Sequence, residues 1–76
     1  MVIEILSPSN TKTEMREKAS LCLASGCLEF WVLDEEKRLV AVSTPDGSVT
    51  TYRSGDVIPL RLFGDAKLAV DRIFET

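Results

Sequence analysis

Two aliphatic runs separated by one capped helical segment fill the first half of the chain, and that order constrains the fold more than any other feature. "VIEIL" (residues 2–6) and "LEFWVL" (residues 28–33) are rich in β-branched and aromatic side chains, as strands are. "SPSNTKTE" between them reads as a turn feeding a helix start. Thr11 and Glu14 stand at the spacing of a capping box, which satisfies orphan amides at a helix N-terminus. The helix is expected from about Lys12 to Ser25. Met15, Ala19, Cys22 and Leu23 fall at i, i+4, i+7 and i+8 and form its buried stripe, and Gly26 supplies the left-handed residue that ends it. Strand, helix, strand at this length is a βαβ unit, so the two strands should run parallel with a right-handed crossover.

The rest of the chain reads as an antiparallel extension. "RLVAVST" (residues 38–44), the turn "PDGS" and "VTTYR" (residues 49–53) make a hairpin. After a second turn at "SGD", short extended pieces are expected near 57–60 and 67–70. Asp71 is expected to cap a last helical turn that carries Ile73 and Phe74 back to the core. The fold class is therefore α/β: a βαβ unit with parallel strands plus a hairpin extension, in a single domain over residues 1–76.

Composition removes several chemistries. The 76 residues carry 12 acidic and 9 basic side chains, a net charge of −3, with no basic cluster of the kind a dedicated phosphate-backbone binder displays. The chain has no histidine, which removes imidazole triads and His-ligated zinc. Cys22 and Cys27 alone cannot complete a tetrahedral zinc site. They read as two small apolar thiols, with a redox pair as the alternative. No run approaches the roughly 18 apolar residues of a membrane span, and the N-terminus has no signal-peptide pattern, so the chain reads as cytoplasmic with no membrane partner.

One residue breaks the pattern of the first strand. Glu4 sits inside an aliphatic run, where a carboxylate is costly unless something pairs with it or coordinates it. On a strand it shares a face with Val2 and Leu6, while Ile3 and Ile5 point the other way. Lys18 flanks the helix stripe, and Glu14 lies one turn earlier on the same flank. Two carboxylates and a lysine are a reasonable setting for a divalent cation, because Mg²⁺ takes one or two carboxylates and keeps its waters. The same residues also admit a structural account. Glu4 with Lys18 could be a plain ion pair, and Glu14 with Lys18 an ordinary helical pair contributing about 0.3–0.5 kcal/mol. The "DEEK" turn reads as solvated, Trp31 as core, and Tyr52 with Arg53 as an exposed hairpin end.

A resemblance bears on that choice. "VIEILSPSN", "REKASLCLASGCLEFWVLD" and "YRSGDVI" resemble the second half of the Uma-two family, restriction-endonuclease-like proteins of the PD-(D/E)XK nuclease superfamily. The matching positions are Glu4, Ser7-Pro8-Ser9, Glu14, Glu17-Lys18, Gly26, Glu29-Phe30-Trp31 and Asp34, without a gap. The resemblance implies a restriction-endonuclease-like core and metal-dependent phosphodiester hydrolysis, with Mg²⁺ or Mn²⁺ as cofactor and DNA as a substrate. It implies Glu4 as catalytic residue and metal ligand, Lys18 as catalytic lysine in place of the superfamily's strand lysine (Leu6 here), and Glu14 as a second metal carboxylate. Cys22 and Cys27 stand where the family commonly has Tyr and Val.

The superfamily's first catalytic Asp lies on a strand upstream of the glutamate strand, and Met1 stands just before that strand here. The resemblance thus implies a truncated domain, weak or inactive alone, whose first strand is a sheet edge. Such an edge pairs with what it finds, and a homodimer through the first strand is the expected remedy. The alternative is a non-catalytic homodimerisation or partner-docking module derived from a nuclease fold.

Overall fold

A computed structural model describes residues 1–6 and 11–74. Its elements are β1 (Val2–Leu6), α1 (Lys12–Ala24), β2 (Phe30–Asp34), β3 (Leu39–Ser43), β4 (Val49–Tyr52), β5 (Val57–Pro59), β6 (Lys67–Ala69) and α2 (Val70–Ile73), with a 3-10 turn at Arg61–Phe63 between β5 and β6. The order is the one expected from the pattern. β1 pairs parallel with β2, and β2–β3 and β3–β4 pair antiparallel, giving a four-stranded sheet in chain order. β5 and β6 form a separate antiparallel pair. The Ser7-Pro8-Ser9 turn lies outside the described residues.

Helix α1 begins and ends as its sequence dictates. The Thr11 hydroxyl accepts a hydrogen bond from the Glu14 amide at 3.1 Å, the forward half of the capping box. At the other end Gly26 has φ +103°, and the Gly26 and Cys27 amides turn back to the Leu23 and Cys22 carbonyls at 3.2 and 3.1 Å. This is the paired-bond cap that a left-handed glycine permits. Met15 and Ala19 are buried, and Cys22 and Leu23 half-buried, as the stripe requires.

The sheet is covered on both faces, but unequally. On one face Val32 and Ala41 lie beneath Met15, Ala19 and Leu23, so α1 covers this side. On the other, Trp31, Val40 and Val42 pack with Ile58, Val70 and Phe74 of the C-terminal segment. Trp31 is 1% exposed and Val40 and Val70 are fully buried, so the larger core lies on this second face. Helix α1 leaves part of its face open, and a trough of about 540 Å³ runs over β3 and β4. The C-terminal segment in turn leaves Ile3 and Ile5 of β1 half in water, at 49% and 54% exposure.

Two expectations are corrected. The second strand begins at Phe30, not Leu28, because Leu28 is 57% exposed and lies outside the ladder. Asp71 does not cap α2: the N-cap is Ala69, with no side-chain bond, and Asp71 sits in the first turn. Its carboxylate accepts the Ser54 hydroxyl at 2.6 Å and the Gly55 amide at 3.3 Å. The acid thus fastens the β4–β5 turn to the C-terminal helix instead of closing the helix on itself. The 3-10 turn at Arg61–Phe63 was not anticipated.

The β3–β4 turn is held by Asp46, whose carboxylate accepts hydrogen bonds from the Thr44 hydroxyl and the Ser48 amide. Those donors, the Thr44 hydroxyl foremost, hold the Asp46 carboxyl below its ordinary value. A pKa lowered in the folded state adds stability above the unfolded value, and that contribution is lost as pH falls through the folded value. Asp46→Asn should therefore lower Tm modestly at neutral pH, and its gap from wild type should close below about pH 4. Thermal melts across that range check both the sign and the window.

Candidate metal and phosphodiester site

Glu4 occupies the middle of β1, opposite Val32 in the parallel register. It is half-buried with Val2 and Leu6 on the face that α1 covers, while its neighbours Ile3 and Ile5 point to the opposite face. The carboxylate is therefore in a partly desolvated layer on a regular strand, the setting in which a charge needs a counter-charge or a cation. The strand itself stands at the end of the sheet order, bonded to β2 on one side only among the described residues.

Lys18 and Glu14 are exposed and lie on one flank of α1. At about 100° per residue, that flank is opposite the one bearing Arg16, Ser20 and Leu23. Arg16, Ser20 and Leu23 line the trough over β3 and β4. Lys18 and Glu14 therefore lie on the flank of α1 away from the trough. Glu4 thus shares the face of the sheet that α1 covers, the helix that carries Lys18 and Glu14. Among the described residues, no ion pair joins Glu4 to Lys18 or Glu14 to Lys18, so the plain structural pairing is not made here.

As a donor set for a divalent cation, Glu4 offers a hard carboxylate oxygen on a rigid element. No group of three or more His, Cys, Asp or Glu side chains is placed to hold a metal among the described residues. A closed protein cage is therefore not formed among the described residues, and an ion held at Glu4 would be one that takes one or two carboxylates and keeps several waters.

Glu29 was passed over as a site residue by sequence reasoning. It is 6% exposed, a buried carboxylate, and its Oε1 accepts the Trp31 indole N–H at 3.0 Å. The available signal was the two-residue spacing in a strand, which puts an acid and an indole on one face. This pair lies on the C-terminal face of the sheet, away from Glu4, and braces the main core. Trp31 is core, as expected, and Glu35, Glu36 and Lys37 of the "DEEK" turn are exposed. Asp34 closes that turn by accepting the Lys37 amide at 3.1 Å.

Residues 1–71 match the model of the Uma2 family, described as "Putative restriction endonuclease". Among solved structures, a crystal structure from Anabaena variabilis described as a "putative nuclease belonging to DUF820" superposes with a TM-score of 0.82 at 26% sequence identity. The match covers 95% of this chain and 41% of that one, so the chain spans well under half the length of its structural relative. No curated protein matches the chain. The family match over residues 1–71 and the shared nuclease-like fold lead to one assignment: the chain belongs to the Uma2 family.

Proposed function

We propose that this chain supplies the glutamate-and-lysine part of a metal-dependent endonuclease-like site that hydrolyses phosphodiesters, with DNA as substrate. The observation that carries the reading is the half-buried Glu4 on the α1-covered face of β1, the last strand of the sheet order among the described residues. In this reading Glu4 and Glu14 hold Mg²⁺ or Mn²⁺, and the bound ion supplies charge neutralisation at the phosphate and acidifies a water. Glu4 fixes one oxygen ligand, and the regularity of β1 keeps it in place. Lys18 places its ammonium beside the attacking water, orients it and offsets charge that builds on the phosphate oxygens. Val2 and Leu6, on either side of Glu4, limit water around the carboxylate and so strengthen each charge interaction there.

The same reading includes self-association in a cytoplasmic setting. The side of β1 that no strand pairs among the described residues, on a strand whose Ile3 and Ile5 are exposed on one face, suits antiparallel pairing with a second copy of this strand. Such pairing brings two Glu4 side chains together, and two like charges at close range favour an intervening cation. A second carboxylate for the ion would then come from the partner copy as readily as from Glu14.

Supercoiled plasmid, incubated with the purified chain and Mg²⁺ or Mn²⁺, tests the site. Only slow nicking is expected from the chain alone with metal; it is abolished by a chelator and lost in Glu4→Gln, a change that keeps the side-chain shape. Metal should also raise Tm of the wild type and leave Glu4→Gln unmoved. Equal nicking and an equal metal response in both proteins refutes the assignment of Glu4. Light scattering of the same samples reads the association, and a monomeric mass at all concentrations rejects the paired edge.

A further inference from the structure

Cys22 and Cys27 take no part in the proposed site, and the cap of α1 places them as a pair. Cys22 is the last-turn residue whose carbonyl accepts the Cys27 amide at 3.1 Å, with Gly26 at φ +103° making the bend between them. A six-residue closure of this kind folds the two positions back beside each other, the juxtaposition that a disulfide, with Cα atoms roughly 4.4–6.8 Å apart, needs. The motif ordinarily places an apolar contact between these two side chains, and here both are thiols. Both cysteines are free and half-buried, so neither is sealed from a small oxidant. We propose that Cys22 and Cys27 are a reversible modification site, closing to an intramolecular disulfide that clasps the end of α1 to the start of the segment leading into β2.

Neighbouring contacts support the pairing. The Cys27 thiol donates to the Glu29 carbonyl at 3.0 Å, and the same carbonyl accepts the Val2 amide at 3.0 Å. One thiol is thus held in a fixed place beside the β1–β2 ladder. The Cys27 side chain next to it, with a smaller contribution from burial, pushes the Cys22 thiol above its ordinary value.

The co-reactant is a low-molecular-weight disulfide such as oxidised glutathione. The Cys27 thiolate, its proton given to solvent, attacks one sulfur of that disulfide; the S–S bond breaks and one glutathione thiolate leaves. The Cys22 thiolate then attacks the Cys27 sulfur of the mixed disulfide and expels the second glutathione. The protein dithiol is oxidised by two electrons and one glutathione disulfide is reduced to two thiols, which take up the two protons. In a reducing compartment the clasp is transient, opening again as thiols recover.

Treatment of the purified chain with oxidised glutathione, followed by intact mass and free-thiol titration, tests this. Wild type should lose both thiols and two hydrogens, run as a single chain on a non-reducing gel, and carry about tenfold less glutathione adduct than either single variant. Cys22→Ala and Cys27→Ala, with no second thiol, should each keep glutathione on the remaining cysteine. Wild type that accumulates adduct to the same extent as the variants, or that links two chains, overturns the proposal. This outcome is independent of whether the chain cleaves DNA, because it reads only the sulfur chemistry.

Discussion

Trp31→Ala should abolish cooperative unfolding of this domain. The indole is 1% exposed and sits among Val40, Val42, Ile58, Val70 and Phe74, so truncation opens a large cavity in the main core. Removing a buried aromatic side chain costs about 3–5 kcal/mol. The loss is compounded because the indole N–H is the donor to the Glu29 carboxylate, which is 6% exposed and would be left with a desolvation penalty of about 1–3 kcal/mol. Together these rival the total stability of a domain this small, about 4–11 kcal/mol at the usual value per residue. Trp31→Phe separates the two effects. It keeps most of the volume and removes the donor, so it should fold and melt cooperatively with a loss of about 1–3 kcal/mol. Leu28→Ala, at an exposed position, should stay within about 0.5 kcal/mol of wild type. Urea titrations followed by tryptophan fluorescence and circular dichroism measure the series, with far-UV signal used where the indole is absent.

Lys18→Ala should reduce metal-dependent cleavage by about 10²–10³-fold while leaving Tm unchanged. The side chain is exposed and makes no ion pair with Glu4 or Glu14 among the described residues, so its removal opens no cavity and strands no buried charge. Its effect is then confined to placing positive charge near the phosphate. Lys18→Arg keeps that charge but spreads it over a planar group, and partial recovery is expected. Arg16→Ala, on the opposite flank of α1 where it lines the trough, should cleave at the wild-type rate. Single-turnover rates on a defined duplex distinguish these cases. A Lys18→Ala protein that cleaves as fast as wild type removes the lysine from the mechanism.

The parts of this fold that could be read from the sequence are those written in local patterns. β1 falls at residues 2–6 because five apolar-rich positions precede the Ser-Pro break in the sequence. The ends of α1 follow from Thr11 and Gly26, each of which acts on backbone within one turn. The pairing of β5 with β6 was less visible. Each is three residues long, and whether they join depends on contacts across the intervening 3-10 turn rather than on their own periodicity. Asp71 was misread for the same reason: its position suits a cap, but its partners, Ser54 and Gly55, are distant in sequence. The candidate site divides in the same way. Glu4 stood out because its neighbours are aliphatic, and the Lys18 flank followed from helical geometry. That Lys18 stays clear of the trough could only come from knowing how far α1 extends over the sheet.

Phe30 and Trp31 sit next to each other at the start of β2, and both are buried, at 2% and 1% exposure. They point to opposite sides of the sheet, the larger ring toward the C-terminal segment and the smaller toward the side covered by α1. A slip of β2 by a single residue would exchange them, forcing an indole beneath a helix that had accommodated a benzyl group and leaving a void on the other side. The inequality in ring size therefore works as a ratchet on alignment. It locks the central strand against both neighbours at once, including the partner strand that carries Glu4.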